Sequence, residues 1–362
     1  MDILASARRL GAELLRPQAE QVDVAGVPRS HIDALAAAGL LGVVAPATVG
    51  GADLDPPTLR AVAEELAAAD SSTWFVWTQH HTPVRTLARS PASAARERWL
   101  PDLATGRALA GVAYTHLRRP GPPALEAERA GDGWRVTGEI AWLTSWGLAD
   151  VFCIGAQADD RVVWLFDDLR RDDHVRVTPL PLAAMTGTAT VRARLDALPV
   201  PAEHVAVVEP LGDWRAADAA RTVDASPAVF GLVRETVDRL SLLAEQRRDH
   251  GAARLAATAG AELEPLRAAA YALADADDGA ERTDERLALR AQAHALACRV
   301  TAGLVAAGGG RSMALDAPAQ RLARTALFLL VQGQTAAVRA ATLRQIGEGR
   351  DDVSAAGAPG GG

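Results

Sequence analysis

Apolar residues recur at helical spacing along the first part of the chain. Ile32, Leu35 and Leu40 follow Ser30, which we expect to cap a helix. Two prolines open a second predicted helix near residues 56–69. Two more helices are predicted, one running from residue 73 past residue 77 and one at residues 91–100. The pattern therefore predicts an N-terminal α-helical domain over residues 1–110.

Between residues 111 and 212 the helical spacing gives way to alternation. Val191, Ala193 and Leu195 alternate with arginines, as in a strand that buries one face. Other β-like runs lie at residues 151–154, 162–166 and 175–177. Because no helices separate these runs, they predict a middle antiparallel β-barrel or sandwich over residues 111–212.

The segment 133–152 is the most informative part of this middle region. It predicts two short strands joined by a turn at Thr137 and Gly138, followed by a third strand. Since side chains alternate along a strand, Trp142 and Thr144 should project to one face. An indole beside a hydroxyl suits a flat aromatic ligand that also needs a hydrogen-bond donor. A hairpin with a buried tryptophan pair and no ligand is the alternative.

Helical spacing returns after residue 212. Four long helices are predicted, at residues 217–250, 252–275, 283–306 and 317–346. The breaks between them fall at residues 277–279 and 308–310. Long helices with short connections predict a four-helix bundle over residues 213–350. Residues 351–362 are small and glycine-rich, and we expect them to be disordered.

Composition narrows the classes of function. The formal net charge is −7, the arginines are dispersed among acids, and neither lysine nor asparagine occurs, so a nucleic-acid partner is not expected. Cys153 and Cys298 are the two cysteines, which suits a reducing cytoplasm and does not suit a disulfide framework or a cysteine-rich zinc site. No 18-residue apolar stretch and no signal-like N-terminus are evident, so neither membrane insertion nor secretion is expected.

The segment 133–150 resembles the flavin-binding strand pair of the acyl-CoA dehydrogenase superfamily, whose pattern is roughly G-W-x-V-x-G-x-K-x-W-I-T-N-x-x-x-A-D. The order of helices, strands and helices is also similar to that family's layout. Residues 23–51 resemble its entry pattern, and residues 185–201 resemble its last barrel strands. The resemblance implies an α+β fold with an N-terminal helical domain, a middle antiparallel β-barrel and a C-terminal four-helix bundle.

The resemblance also implies a cofactor site. Its first-choice contacts with a flavin ring are Tyr114, Thr115, Trp142 and Thr144. For the flavin diphosphate, the resemblance points to the side chain of an arginine and the backbone of a glycine turn, at Arg247, Gly309 and Gly310. The implied cofactor is FAD, with FMN as the alternative. Implied partners are an acyl-CoA or other small-molecule substrate, an electron-transfer partner or flavin reductase, and further copies of the chain in a homodimer or homotetramer.

The chain departs from this family at the catalytic base. Counting nine residues from Arg324 reaches Gly333, and the alternative family position falls near Ala220 or Arg221. None of these is the glutamate that relatives use to remove the substrate α-proton, and Asp224 is the nearest acid. A missing general base costs about 10²–10⁴ in rate. The sequence therefore predicts a divergent member of the family.

Related flavin-dependent monooxygenases need no such base and tend to place histidine or serine near a reduced flavin. The candidates here are His80, His81, His116 and Ser145. Surface exposure at a helix end is the alternative for the adjacent histidines. No carboxylate or cysteine supports them at metal-binding spacing, so no metal is expected. Three hypotheses remain: an FAD-dependent oxidoreductase acting on an acyl thioester or related small molecule, a two-component monooxygenase, and a non-catalytic scaffold.

Overall fold

The computed structural model describes residues 2–91, 93–276 and 281–348. The chain divides into two units, with the boundary between Ala217 and Asp218. The predicted N-terminal helices and the predicted strands together form the first unit. The predicted break at residues 277–279 and the predicted tail at 351–362 lie outside the described residues.

Seven α-helices open the first unit. They are α1 (Ile3–Leu10), α2 (Arg16–Ala25), α3 (Arg29–Ala37), α4 (Pro56–Ala69), α5 (Ser71–Gln79), α6 (His81–Arg89) and α7 (Ala94–Ala104), and a π-helical turn joins α1 to α2. The predicted helix at residues 56–69 is confirmed, and Asp55 caps it by accepting a hydrogen bond from the Thr58 backbone N–H. The predicted cap at Ser30 is wrong. Helix α3 begins one residue earlier, because extended Pro28 precedes it directly.

Eight strands follow the helices. They are β1 (Ala110–Ala113), β2 (Leu125–Ala130), β3 (Gly133–Leu143), β4 (Val151–Ala158), β5 (Arg161–Asp167), β6 (Val175–Pro179), β7 (Val191–Val200) and β8 (Val205–Pro210). Their order in the sheet is β6-β7-β3-β2-β4-β5-β8, and β1 pairs with β4. The pairings are antiparallel, as predicted, except that β1 and β2 each run parallel to β4. In the described residues β6 and β8 are the two ends of the pairing path.

The predicted turn at Thr137 and Gly138 is wrong, because β3 is one continuous strand. Val136 pairs with Leu198 and Gly138 with Leu195, so Thr137 occupies an irregularity in the ladder. Gly138 is required there: its φ is +139°, and a Cβ atom would lie 2.2 Å from the Ala124 carbonyl oxygen. The residues that read as a turn instead bend a long strand.

A second register shift lies near the end of β3, between Ile140 and Leu143. The strand ends at Leu143, so Thr144 belongs to the following turn. Strict alternation therefore does not extend from Trp142 to Thr144. Their exposures differ accordingly: the Trp142 side chain is 49% exposed, whereas Thr144 is buried.

Both faces of the sheet are covered at β5. Val163 and Leu165 pack into an apolar cluster contributed by the strands themselves. Trp164 and Phe166, which point the other way, pack into a cluster that includes residues of α6 and α7. This continuous burial explains why the β5 sequence is an unbroken apolar run rather than an alternating one.

The second unit consists of helices. Helix α8 (Leu211–Thr222) crosses the unit boundary, and α9 (Pro227–Arg247), α10 (His250–Ala274), α11 (Thr283–Gly308), α12 (Pro318–Val331) and α13 (Ala336–Glu348) follow. Two predicted helices are therefore each split. Ser226 caps a new helix at Pro227, and Gly333 turns the chain with φ +63°. No helix in the described ranges combines the length and the apolarity needed to cross a membrane.

Candidate functional site

Three of the predicted contact residues lie in or just after strands β1 and β3 of the first unit. Thr115 is exposed in the 3₁₀ turn after β1, and this turn packs against β3. Trp142 presents a half-exposed indole near the end of β3. Thr144 follows that strand, and its carbonyl oxygen lies 3.2 Å from where a Cβ atom on Gly111 of β1 would be. We call Thr115, Trp142 and Thr144 the β1–β3 face.

Tyr114 has a different setting from these three residues. Its ring centroid lies 6.0 Å from that of Trp164 and 5.8 Å from that of Trp214, in edge-on contacts. The Arg118 guanidinium covers the same ring at 5.4 Å. The Tyr114 ring is therefore part of an internal aromatic cluster, and Thr115 and Trp142 supply the exposed part of the predicted contact surface.

Ser145 is fully buried next to this face. Its backbone N–H donates to the Thr188 carbonyl oxygen at 3.0 Å, but its hydroxyl has no hydrogen-bond partner among the described residues. An unpaired buried hydroxyl is costly in a folded protein. Such an atom is a reasonable place to look for a bound ligand.

Backbone strain is concentrated at the same place. Ser145, Met185 and Ala189 all have positive φ angles, of 69°, 57° and 50°. The two loops that contain them are joined by backbone hydrogen bonds from Ser145 to Thr188 and from Trp146 to Ala189. Left-handed conformations of non-glycine residues cost of order 1–3 kcal/mol each and cluster at functional sites.

His80 is buried rather than exposed, so the surface alternative for this residue is wrong. Its Nδ1 accepts a hydrogen bond from the Ala110 backbone N–H at 3.0 Å. The proton is therefore on Nε2, which donates to the Leu103 carbonyl oxygen at 3.1 Å. Burial lowers the His80 pKa to about 4. Both ring nitrogens are occupied in holding the helices against β1, which leaves neither for the predicted catalytic role.

His81 is also buried, and its setting is different. Its ring meets the Trp77 indole edge-on at 4.2 Å, and its Nε2 has no hydrogen-bond partner in the described part of the chain. Burial lowers the His81 pKa well below 6.5, and the nearby charge of Arg85 acts in the same direction. The imidazole is therefore neutral near pH 7 and has an open ring nitrogen.

Strand β1 contacts residues that are adjacent in sequence to His81 and to Ser145. The ring of the preceding residue, His80, binds the backbone N–H of Ala110. The next residue, Gly111, lies against the carbonyl group of Thr144, directly before Ser145. Strand β1 thus contacts the residue that precedes His81 and the residue that precedes Ser145, while the His81 ring itself packs on Trp77.

His116 anchors a turn. Its Nε2 is 2.7 Å from the Gly155 carbonyl oxygen, so that nitrogen donates, and burial lowers its pKa. This hydrogen bond fixes the 3₁₀ turn Thr115–Arg118 on β4. The geometry favours a role in positioning Thr115 over the predicted proton transfer.

The predicted diphosphate residues come together in the second unit. Arg247, the last residue of α9, donates from Nη1 to the carbonyl oxygens of Ala307 and Gly308 at 2.8 and 3.4 Å. Gly309 has φ +66° and ψ −153°, a conformation available mainly to glycine. Arg247 therefore holds the end of α11 and the glycine turn beside it.

A cavity of about 240 Å³ opens beside this turn. Three cations line it, Arg239, Arg247 and Arg311, together with Ser312 and an apolar wall that includes Leu243. Guanidinium groups and hydroxyls match the oxygens of a phosphate ester. We call this cavity the arginine groove. Arg311 directly follows the predicted glycine turn, whereas Arg239 was not predicted, because it belongs to no motif in the sequence.

Gly333, one of the positions counted for a catalytic base, lies close to Thr222 and Arg290. A Cβ atom on Gly333 would lie 3.8 Å from Cγ2 of Thr222 and 3.9 Å from Nη2 of Arg290. Buried Arg290 donates to the carbonyl oxygens of Thr222, Asp224 and Gln332. The charged group beside Gly333 is therefore a guanidinium that braces two turns, and not a carboxylate.

Asp224, the remaining acid near these positions, is already paired. Its two carboxylate oxygens each accept a hydrogen bond from Arg286, both at 2.7 Å. Both oxygens are therefore occupied by the guanidinium group, and neither is left open to a substrate. Within the described ranges no three His, Cys, Asp or Glu side chains are arranged to hold a metal ion.

The chemistry of these residues fits a flavin nucleotide. The half-exposed indole of Trp142 suits a flat heteroaromatic ring, and the unpaired hydroxyl of buried Ser145 suits a polar atom of a ligand. The arginine groove of the second unit suits a diphosphate.

Comparison with known proteins shows which fold and which family the chain resembles. Residues 1–107 match the family model described as the acyl-CoA dehydrogenase N-terminal domain. The chain superposes on butyryl-CoA dehydrogenase from Megasphaera elsdenii with a TM-score of 0.78 and 18% identity, covering 95% of each chain. The predicted resemblance to the acyl-CoA dehydrogenase superfamily and the predicted fold class are confirmed.

Two curated relatives refine this picture. (2S)-methylsuccinyl-CoA dehydrogenase of Cereibacter sphaeroides is 26% identical over 136 residues, which are 37% of this chain and 25% of that protein. A probable FMNH2-dependent monooxygenase, SfnC, of Pseudomonas putida is 36% identical over 84 residues, which are 23% of this chain and 21% of that protein. The alignments thus span a quarter or less of these relatives.

Proposed function

We propose that this chain is a flavin-dependent oxidoreductase that acts on an acyl thioester or a related small molecule, with FAD as its cofactor. The observation that carries the proposal is the pairing of an exposed indole, Trp142, with buried Thr144 at the end of β3. Arg247 and the glycine turn supply a matching chemistry for a diphosphate in the second unit. FMN is the alternative cofactor.

Of the two reactions open to such a protein, the residues favour the use of reduced flavin and oxygen. Removing an α-proton needs a base, but the counted positions hold Gly333 and Ala220 or Arg221, and Asp224 is paired with Arg286. Buried His81 and Ser145, in contrast, can hold or pass a proton. The similarity of part of the chain to a probable FMNH2-dependent monooxygenase supports this second candidate.

In either reaction the bound flavin would supply the electron transfer. Trp142 would orient the plane of the ring, and Thr144 would fix one polar edge of it. His81 would exchange a proton at Nε2 while remaining uncharged at rest, because burial disfavours its cationic form. Ser145 would present its hydroxyl in an interior that excludes water.

The partners follow from the reaction. A dehydrogenase would pass electrons to an electron-transfer partner, whereas a monooxygenase would receive reduced flavin from a flavin reductase. A cytoplasmic location agrees with the two unpaired cysteines. Assembly into a homodimer or homotetramer remains part of the proposal.

The deciding experiment starts with the absorption spectrum of the purified protein after incubation with FAD or FMN. If neither flavin binds, the scaffold hypothesis replaces this one. If flavin binds, anaerobic acyl-CoA should bleach a dehydrogenase. A monooxygenase should leave acyl-CoA unchanged, and its reduced complex should react with oxygen through a delayed return of flavin absorbance. Ser145→Ala should shorten that delay while flavin binding persists.

A further inference from the structure

Three threonine hydroxyls form a hydrogen-bonded chain that ends at the β1–β3 face. The Oγ1 atoms of Thr144 and Thr190 are 3.0 Å apart, and those of Thr190 and Thr188 are 2.8 Å apart. The Oγ1 of Thr188 is 2.7 Å from the carbonyl oxygen of Met185. We call these three side chains the hydroxyl chain.

The direction of every hydrogen bond in this chain is fixed by counting protons. Each hydroxyl carries one hydrogen, and a carbonyl oxygen can only accept. Thr188 therefore donates to Met185 and accepts from Thr190. Thr190 has then used its hydrogen, so it accepts from Thr144. The Thr144 hydroxyl donates into the protein, and its oxygen is left to act only as an acceptor.

The surrounding structure holds this arrangement in place. Thr188 is fully buried and Thr144 is buried, so both ends of the chain are shielded from water, while Thr190 between them is half-buried. The turn that carries Thr188 is flanked by Met185 and Ala189, both in left-handed conformations. Its carbonyl group at Thr188 also accepts a hydrogen bond from the Ser145 backbone. The polarity of Thr144 is thus set by tertiary contacts.

We propose that the acceptor character of Thr144 makes the site bind reduced flavin more tightly than oxidised flavin, an inference that rests on the proposed function. The oxidised ring carries an unprotonated N5, which can only accept. Two-electron reduction adds a hydrogen to N5 and turns it into a donor. A donor is what the oxygen of Thr144 requires, whereas an acceptor facing it leaves two lone pairs opposed.

This polarity is the reverse of the one that the sequence predicts for the Thr144 hydroxyl. The hydroxyl beside Trp142 was expected to serve a ligand in need of a hydrogen-bond donor, but the structure leaves it only an acceptor. A site that selects the reduced flavin suits a protein that takes its flavin already reduced. The class of reaction that must precede it is then the reduction of free flavin by a separate donor.

The test is an anaerobic titration of the full-length protein with oxidised FAD and with dithionite-reduced FAD. The expected result is tighter binding of reduced FAD, by on the order of tenfold, which corresponds to about 1.4 kcal/mol. Thr190→Val interrupts the chain and frees the Thr144 hydroxyl to rotate, so the ratio of the two affinities should fall toward one. Thr190→Ser keeps the hydroxyl and should restore the wild-type ratio. Thr178→Val, an exposed change on β6, is the matched control.

The outcomes separate the two proposals. If neither redox form binds, the flavin function and this inference both fail. If both forms bind the wild-type protein equally, or if Thr190→Val binds FAD with an unchanged ratio, the flavin function stands and the polarity inference is overturned. Circular dichroism melts of each variant distinguish a lost preference from a lost fold, and Thr190→Ser provides the second comparison if Thr190→Val is unstable.

Discussion

The β1–β3 face of the first unit and the arginine groove of the second unit offer a ligand opposite kinds of surface. Around Thr144, the polar side chains of Ser145 and of the hydroxyl chain are uncharged, and Thr144, Ser145 and Thr188 are buried. In the groove, Arg247 is an exposed cation beside an open glycine turn. The β1–β3 face can select a ligand by the direction of its hydrogen bonds, whereas the arginine groove can attract a ligand by its charge.

This difference indicates that the β1–β3 face contributes mainly to selectivity and the arginine groove mainly to affinity. A buried neutral site distinguishes ligands by matching donors to acceptors, because an unmatched polar atom there is costly. An exposed cationic site attracts any phosphate ester, and salt weakens it. We therefore expect the face of the first unit to select a ligand by its donors and acceptors, and the groove of the second unit to select a ligand by its charge.

The largest expected effect is on the free energy of unfolding, which should fall in acid as the buried histidine His80 becomes protonated. The folded pKa of His80 is about 4, below its usual 6.5, so the unfolded chain binds the extra proton between these values. Stability is therefore complete above pH 6.5 and falls as the pH drops toward 4, by roughly 3 kcal/mol from this residue. Urea unfolding at pH 7, 5.5 and 4.5 should show that slope. His80→Gln should flatten it, and a slope that His80→Gln leaves unchanged would contradict the assignment.

Removing the cation at position 247 should have the next largest effect. Arg247→Ala should weaken FAD binding by on the order of tenfold or more at low salt, since a charge-assisted contact to phosphate and the brace on Gly308 are both lost. The loss should shrink as ionic strength rises. Arg254→Ala, an exposed change on α10 outside the groove, serves as the control. Equal effects on FAD and riboflavin would show that Arg247 does not contact the diphosphate.

The two glycines of the turn provide a matched pair. Gly309→Ala forces a side chain into φ +66° and ψ −153° and should cost about 1–2 kcal/mol of stability. A Cβ atom on Gly310 would meet nothing within 4 Å, and its φ is outside the left-handed region, so Gly310→Ala should be close to neutral. Thermal melts with and without FAD measure both changes. Equal destabilisation by the two variants would refute the assigned turn.

The smallest expected effect is at the indole. Trp142→Ala should weaken flavin binding several-fold, because aromatic stacking contributes about 0.5–1.5 kcal/mol. Trp142→Phe retains a ring and should recover most of that affinity. Since Trp142 is half exposed, its replacement should leave the melting temperature nearly unchanged. Unchanged flavin occupancy in both Trp142→Ala and Arg247→Ala would refute the placement of the cofactor.

Local patterns were enough to predict the elements that depend on near neighbours. Helix α4 was predicted with its bounds, because prolines and spacing mark it within one segment. The long strand β3 was misread at Gly138, since a bulge and a hairpin turn place glycine in similar local sequence. The paired glycine turn and Arg247 were each visible as motifs, but their contact joins residues 60 positions apart and needed the fold.

The sequence by itself determined the order of helices, strands and helices, the family resemblance and the identities of the candidate residues. Periodicity and turn chemistry act over a few residues, so they are readable in one dimension. Only the tertiary structure decided that His80 is tied to backbone while His81 is open, although the two are adjacent in sequence. It also decided which way the Thr144 hydroxyl points. Hydrogen-bond direction depends on partners brought from distant segments, and those partners exist only after folding.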